Sequence, residues 1–138
     1  MEIKEQINGI QHIGIPTNDI KKTVNFYKGI GFEVSLETPN EETQEKVAFL
    51  KMKNLMIETY ENGCAAMKAG AIDHIAMDVT GIDSLFREVK AAGYTLVHGS
   101  VQFLPFWQYG VRFFTIVGPN QEKLEFSEML TSPYKDEK

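Results

Sequence analysis

The chain has 138 residues, is 43% hydrophobic and carries a formal net charge of −5. A chain of this size can bury one core, and its acidic balance disfavours nucleic acid as a partner. Its only cysteine, Cys64, cannot form an intrachain disulfide, the amino terminus is too polar for a secretory signal, and no apolar run could span a bilayer. We therefore expect residues 1–138 to form a single cytoplasmic domain that contacts neither membranes nor nucleic acid.

The chain contains an internal repeat. Residues 10–34 align without gaps on residues 72–96 after a shift of 62 positions (74 − 12), so that His12 falls on His74. A repeat of this length predicts two similar structural units. We place module one at 7–62, a connector at 63–70, module two at 71–130 and a frayed charged tail at 131–138.

In chain order, the first module reads as a strand, a helix and three strands. Thr17, Asn18 and Asp19 offer capping side chains, and Ile20, Val24 and Tyr27 follow at helical spacing. Gly29 and Gly31 end that helix. The predicted strands are 7–15, 32–36, 47–52 and 55–60, the last two forming a hairpin over Lys53 and Asn54.

The second module repeats this plan. An apolar stripe of Ile82, Leu85, Phe86 and Val89 predicts its helix. Its predicted strands are 72–79 and 94–97, followed by an aromatic loop at 101–109 and a hairpin of 111–117 with 122–128. The predicted fold is therefore α+β, with two tandem βαβββ modules forming a curved mixed sheet around a cleft.

Strand alternation places candidate metal ligands on the face that lines the cleft. His12 and His74 alternate with core-facing neighbours on the first strands, and Glu58 and Glu125 do so on the last strands. A carboxylate on a partly buried face is costly unless it is paired or bound to a cation. Two imidazoles and two carboxylates suit one divalent metal ion, and Zn, Ni, Co, Mn and Fe are all possible.

These residues give the chain a specific resemblance. Residues 12–27 (HIGIPTNDIKKTVNFY) and 113–126 (FFTIVGPNQEKLEF) resemble the opening and the terminal hairpin of the vicinal oxygen chelate superfamily, and the similarity extends over residues 7–130. That superfamily includes glyoxalase I, fosfomycin-resistance enzymes, epimerases, extradiol dioxygenases and bleomycin-binding proteins. The ligand set is closest to that of glyoxalase I. Because Glu58 is a fourth ligand that the iron dioxygenases generally lack, the resemblance implies Ni, Zn, Co or Mn rather than Fe.

The resemblance implies paired βαβββ modules, a metal in the cleft and a lyase or isomerase reaction. Such a reaction transfers a proton at the carbon next to a carbonyl or hydroxyl oxygen that the metal binds. The resemblance to glyoxalase I would make Glu125 the catalytic base and Glu58 the group that returns the proton. Asn62, four residues after Glu58, occupies the place where glyoxalase I has an asparagine that helps to hold glutathione. A glutathione or other thiol adduct is thus one possible small-molecule substrate, and a homodimer is the expected assembly.

Four further residues are candidates for substrate contact. Trp107 and Tyr109 belong to the aromatic loop, which is expected to form an apolar wall or lid. Arg112 is the nearest cation that could bind a substrate carboxylate. Thr115 falls where fosfomycin enzymes usually place a tyrosine.

Two other functional classes stay open at this point. The first is another enzyme of the superfamily, either a metal-dependent epimerase or an Fe(II) dioxygenase. The second is a binding protein that sequesters a drug or metabolite without chemistry. Metal content separates them, because Ni, Co or Zn favours a lyase or isomerase, Fe favours an oxygenase, and no metal favours sequestration.

Overall fold

A computed structural model of the chain describes residues 2–135. Its helices and strands belong to two compact units that divide between Ala65 and Ala66, inside the predicted connector. No helix in the described range is long and apolar enough to cross a membrane. The predicted frayed tail lies partly outside that range, and its described part, residues 131–135, contains no helix or strand.

The first unit contains a four-stranded mixed sheet with the order β1-β4-β3-β2. Strand β1 runs parallel to β4, and the other neighbours are antiparallel. Its elements are α1 (Ile3–Gln6), β1 (Ile13–Thr17), α2 (Ile20–Gly29), β2 (Glu33–Pro39), β3 (Lys46–Met52) and β4 (Leu55–Glu61).

Helix α2 forms where its cap and its apolar stripe predict it. The Asp19 side chain accepts a hydrogen bond from the Lys22 backbone N–H at 3.1 Å, which satisfies one orphan donor of the first turn. Tyr27 is fully buried and packs edge-on against Phe32, with ring centroids 5.1 Å apart. This helix covers the sheet face that carries the fully buried Ile57.

The second unit repeats the arrangement with one added strand. Its sheet has the order β5-β9-β8-β6, and β7 also pairs with β8. Phe114 is the centre of the core, packing against Phe86 of the helix and Phe126 of the neighbouring strand. The elements are β5 (Ile75–Asp78), α3 (Ile82–Ala91), β6 (Thr95–Leu96), β7 (Gln102–Leu104), β8 (Val111–Val117) and β9 (Lys123–Met129).

The α+β class and the two βαβββ-like modules are confirmed, and several boundaries are corrected. The described strands form two sheets, one in each unit. The first strand of each unit is shorter than predicted, beginning at Ile13 and Ile75, so that both histidines lie just before their strands. Part of the predicted aromatic loop is strand β7, because Gln102–Leu104 pairs with the start of β8. The single domain and the metal-containing cleft remain predictions.

In each unit, a glutamate near the end of the last strand accepts hydrogen bonds from backbone N–H groups at the start of the helix. Glu61 accepts a hydrogen bond from the Ile20 N–H at 2.8 Å. Glu128 accepts from the N–H groups of Gly81 and Ile82, both at 3.1 Å. The Glu128 carboxylate replaces the side-chain cap that Gly81 cannot provide. Strand end and helix start are thereby fixed to each other.

Candidate metal centre

The first His–Glu pair lies where β1 and β4 of the first unit run side by side. Glu58 occupies the middle of β4, on the face away from α2, since its neighbours Ile57 and Thr59 are fully buried beneath the helix. His12 lies one residue before β1, and its Nε2 is 3.6 Å from Glu58 Oε1. Parallel pairing of β1 with β4 brings these two groups together, because it sets Gly14 directly beside Glu58.

Gly14 leaves room beside the Glu58 carboxylate and the Tyr60 phenol. A Cβ atom at this position would lie 3.6 Å from the Tyr60 ring and 3.9 Å from Glu58 Oε1. A larger side chain would therefore contact both groups. The equivalent residue of the second unit is Ala76, which pairs with Glu125 in the same register. Small residues at these two positions keep the space beside each glutamate open.

The second pair repeats the first. Glu125 lies in the middle of β9, between the buried Leu124 and Phe126. His74 precedes β5, and its Nε2 is 4.0 Å from Glu125 Oε2. The repeat in the sequence thus becomes a repeat in space, with one imidazole and one carboxylate at the same place in each unit.

These separations suit ligands of a common ion better than direct hydrogen bonds. Both distances exceed the usual range for an N–H···O bond, which ends at about 3.2 Å. Two ligands that each bind one ion at roughly 2.1 Å can lie up to about 4.2 Å apart. The imidazole nitrogen and carboxylate oxygen donors also match the preferences of Zn, Ni, Co and Mn. Each pair therefore has the chemistry and the spacing of half a metal site.

The residue before each histidine fixes the ring through its other nitrogen. His12 Nδ1 donates to Gln11 Oε1 at 2.9 Å, and His74 Nδ1 donates to Asp73 Oδ2 at 3.0 Å. Donation from Nδ1 leaves the Nε2 lone pair available, which is the tautomer that a metal ligand needs. In both units that Nε2 is the nitrogen that faces the glutamate.

The two residues that hold the histidine rings, Gln11 and Asp73, differ in charge. Asp73 also accepts a hydrogen bond from Lys123 Nζ at 3.1 Å. The hydrogen bond from His74, followed by that from Lys123, lowers the pKa of the Asp73 carboxyl below its usual value. Asp73 is therefore an anion at neutral pH, whereas Gln11 is neutral.

The strand opposite each glutamate provides a different neighbour in the two units. Phe49 of β3 pairs with Glu58, and its ring meets His12 edge-on with centroids 5.7 Å apart. Thr115 of β8 pairs with Glu125 and is buried. Of the predicted substrate-contact residues, Thr115 is the one that strand pairing sets directly beside a candidate ligand.

Asn62, Trp107 and Tyr109 have local surroundings of their own. The Asn62 side-chain oxygen accepts the Cys64 N–H at 2.8 Å, which shapes the turn after β4. Trp107 is 72% exposed with a positive φ of 64°, and the Tyr109 hydroxyl accepts a hydrogen bond from Gln108 at 3.1 Å. Substrate contact by these three residues stays a prediction.

Arg112 lies on the helix side of its sheet. Its guanidinium makes two hydrogen bonds to Asp83 of α3, at 2.7 and 2.9 Å, and lies over the Tyr134 ring at 4.5 Å. These hydrogen bonds lower the pKa of the Asp83 carboxyl and raise that of Arg112. On β8, Arg112 and Thr115 point to opposite faces, so the structure does not bring Arg112 to Glu125. Contact between Arg112 and a substrate carboxylate stays a prediction.

The structure describes the four predicted ligands as one His–Glu pair within each unit. Within residues 2–135, no group of three or more His, Cys, Asp and Glu side chains is placed to hold a metal ion. The sequence reasoning missed Gln11, Asp73, Phe49 and Tyr60. Gln11 and Asp73 coincide under the 62-residue shift, which was a detectable signal. The predicted two-residue hairpin turn also fixes the pairing of Phe49 with Glu58.

Two mixed βαβββ-like units, with a His–Glu pair in each, define a class of small, internally duplicated proteins. A sequence profile of the Glyoxalase/Bleomycin resistance protein/Dioxygenase superfamily matches residues 11–105, which is more than half of the chain. The chain therefore belongs to this superfamily, as the resemblance of its motifs implied. No curated protein is significantly similar to it in sequence.

Solved structures share the fold at low identity. A glyoxalase family protein from Enterococcus faecalis is 23% identical with a TM-score of 0.73, covering 88% of this chain and 98% of its own. The fosfomycin resistance protein FosX from Listeria monocytogenes, solved with Mn(II) and sulfate, is 19% identical with a TM-score of 0.70, covering 91% and 96%. A glyoxalase/bleomycin resistance protein/dioxygenase from Alicyclobacillus acidocaldarius is 16% identical with a TM-score of 0.69, covering 89% and 92%.

Proposed function

We propose that the protein is a metal-dependent lyase or isomerase of the glyoxalase I-like type. One divalent ion, Ni, Zn, Co or Mn, would be held by His12, Glu58, His74 and Glu125. Each ion takes one pair from a first unit and one from a second, either of the same chain or of two chains in a homodimer. The observation that carries the proposal is the repeated pair, in which a histidine secured through Nδ1 turns Nε2 toward a glutamate.

When bound, the ion supplies Lewis-acid polarisation of a carbonyl or hydroxyl oxygen of the substrate. Glu125 would take the proton from the adjacent carbon, and Glu58 in its protonated form would deliver one to the product. Proton exchange with solvent would then return Glu125 to the carboxylate and Glu58 to the acid. Only about a fifth of the Glu125 side chain is exposed (19%), so it is shielded from bulk water while it holds the proton. Both carboxylates lie on strand interiors, which fixes their positions more tightly than loops would.

The surroundings of the two glutamates suggest which parts of the substrate they meet. Phe49 and Tyr60 give the Glu58 side an aromatic wall, which suits an apolar group. Thr115 gives the Glu125 side a hydroxyl, which suits an oxygen-bearing group. Asn62, Trp107 and Tyr109 are proposed as additional contacts to a larger substituent, such as a glutathione or other thiol adduct.

The decisive experiment combines metal analysis with solvent-deuterium exchange. The purified protein should contain about one Ni, Zn, Co or Mn ion per chain, and it should exchange deuterium into 2-hydroxy carbonyl compounds, with the methylglyoxal–glutathione hemithioacetal included in the panel. Glu125→Gln should retain most of the metal and lose turnover, because the amide cannot accept the proton. Full activity of Glu125→Gln would sink the proposed base.

FosX, with its Mn(II), favours a second candidate within the same fold. By this alternative the chain is a small-molecule resistance enzyme, or another enzyme of the superfamily such as an epimerase or dioxygenase. Metal content and substrate separate the candidates, since Fe would indicate an oxygenase and absence of tightly bound metal would indicate a sequestering protein. Ni, Zn or Co with exchange into hydroxy carbonyls indicates the lyase or isomerase.

A further inference from the structure

A groove of about 490 Å³ lies on the helix side of the first unit, between α2 and the strands β2 and β3. It is separate from the metal pair, because Ala48 lines it from below while the next residue, Phe49, points to the other face and meets His12. Its volume falls within the range of roughly 300–1,000 Å³ that is usual for small-molecule sites. Nothing in the proposed metal chemistry uses it.

One face of helix α2 forms the first wall of the groove. Lys21, Val24, Asn25 and Lys28 follow one another at i, i+3, i+4 and i+7, so they line a single stripe. The two lysines stand at the ends of this stripe, roughly 10 Å apart along the helix axis. Val24 and the Asn25 side-chain amide therefore lie between two positively charged lysines.

The floor and the far wall come from the β2–β3 ladder. Pro39 pairs with Lys46, and Glu37 pairs with Ala48, so these four side chains share the face that α2 covers. Ala48 is 1% exposed, and its small side chain gives the groove depth beneath the helix. The floor is therefore apolar while the rim is charged.

The charge of the rim is opposite to that of the chain. Lys21, Lys28 and Lys46 carry three positive charges and Glu37 one negative charge, in a protein whose formal net charge is −5. Within residues 2–135, none of the three lysines forms an ion pair with a carboxylate. Three unpaired ammonium groups around one apolar floor create a local field that attracts an anion.

We propose that this groove binds a small anion with an apolar body, such as a carboxylate on a short aliphatic chain. The apolar part packs on Val24, Ala48 and Pro39, and the carboxylate reaches the lysine rim. The proposal is independent of the metal chemistry, because the groove and the His12–Glu58 pair lie on opposite faces of the sheet.

Hexanoate and its neutral counterpart hexanamide provide the test. Both carry the same apolar chain, so a difference in affinity reports the charge. In two-dimensional amide NMR of the full-length protein, hexanoate should shift Val24, Asn25 and Ala48, and it should bind at least about fivefold more tightly than hexanamide. Equal binding of the two compounds, or shifts confined to residues around Glu58, overturns the proposal.

Charge reversal on the helix supplies the matched variants. Lys21→Glu with Lys28→Glu should weaken hexanoate binding by about tenfold and leave hexanamide unchanged. Lys22→Glu with Lys53→Glu makes the same change in net charge at two exposed lysines outside the groove, and it should keep the affinity within about twofold. If both double variants weaken hexanoate equally, the effect belongs to net charge and the groove is not the site.

Discussion

The two units have the same backbone plan and surround their His–Glu pairs with different chemistry. In the first unit, a neutral Gln11 holds the His12 ring and Phe49 packs against it. In the second, the anion Asp73 holds the His74 ring and is itself held by Lys123. The strand register beside each glutamate, the small residue paired with it and the external glutamate at each helix start repeat between the units, whereas these neighbours do not.

This difference shows which features the duplication keeps and which it leaves free to change. The positions that set the ligand geometry agree, because parallel pairing places Gly14 beside Glu58 and Ala76 beside Glu125. The positions that set the local polarity diverge. We infer that the two halves share one metal-binding task and that their contributions to affinity and substrate contact are unequal.

The largest expected effect is loss of metal when either ring is removed. His12→Ala and His74→Ala should each lower metal affinity by more than about 100-fold, because each deletes a proposed ligand rather than an outer contact. Elemental analysis after dialysis measures the bound ion. His98→Ala is the matched control, since His98 is the third histidine and lies exposed outside both pairs.

Retention of a full metal complement in either ring variant would remove that half from the proposed site. Loss in one variant and retention in the other would show that a single unit holds the ion. Metal loss in His98→Ala as well would point to a general effect on folding.

The next effect separates the two outer contacts. Asp73→Ala should weaken metal binding by about 10- to 100-fold, because the carboxylate both orients the His74 ring and places a negative charge beside the proposed cation site. Gln11→Ala should weaken it less, since a neutral amide orients the ring without that electrostatic gain. Competition with a chromogenic chelator measures both affinities. Glu88→Ala, which removes an exposed carboxylate of the same unit, serves as the control, and an equal loss in the Gln11 and Asp73 variants contradicts the expected order.

Much of the fold was predictable because its signals are local. The Asp19 cap, the apolar helix stripes and the two-residue turn at Lys53 and Asn54 each specify an element through nearby residues. The beginnings of β1 and β5 were not predictable in this way. Residues 7–12 carry isoleucines in a strand-like pattern, yet Ile7 and Ile10 are exposed and unpaired by any neighbouring strand. Strand length here depends on the partner, which the sequence pattern alone does not contain.

The approach of a histidine to a glutamate in each unit was predictable, because the internal repeat presents the same residue pattern twice. Contacts between side chains that are distant in sequence were harder to predict. Arg112 pairs with Asp83 of the helix, a contact across 29 positions of sequence. Glu128 caps the helix at Gly81, a contact across 47 positions. Such contacts follow from tertiary packing, so spacing along the chain does not reveal them.

The helix starts offer a smaller test of the same contrast. Helix α2 has two caps, Asp19 and Glu61, whereas α3 begins at Gly81 and relies on Glu128. Glu128→Ala should therefore destabilise the protein by about 1–2 kcal/mol, and Glu61→Ala by about 0.5–1 kcal/mol. Urea unfolding measures both values.

Conservative replacement distinguishes capping from a loss of general packing. Glu128→Gln retains one acceptor oxygen and should recover part of the stability lost in Glu128→Ala. Glu42→Ala, in the exposed loop after β2, should change stability by less than about 0.5 kcal/mol. A larger loss for Glu61→Ala than for Glu128→Ala would contradict the idea that the second helix depends on its single external cap.

The smallest expected effect belongs to the second unit alone. Asp83 pairs with Arg112, whereas the equivalent position of the first unit is Lys21. Arg112 lowers the pKa of the Asp83 carboxyl, so the folded state favours the ionised form. The resulting stability is fully present above the unfolded pKa of about 3.9 and is lost as the pH falls through the lower folded pKa.

Asp83→Asn should accordingly cost about 0.5 kcal/mol at neutral pH, a value reduced because the Asp83 side chain is 57% exposed. The cost should shrink in acid, because the charge of Asp83 is lost as the pH falls below its unfolded pKa of about 3.9 and on through the lower folded pKa. Urea midpoints at neutral pH and in acid measure the change, with the exposed Asp78→Asn of the same unit as control. A cost that persists or increases in acid would show that the Asp83 side chain acts through packing and not through its charge, and the electrostatic distinction between the two units would then disappear at this position.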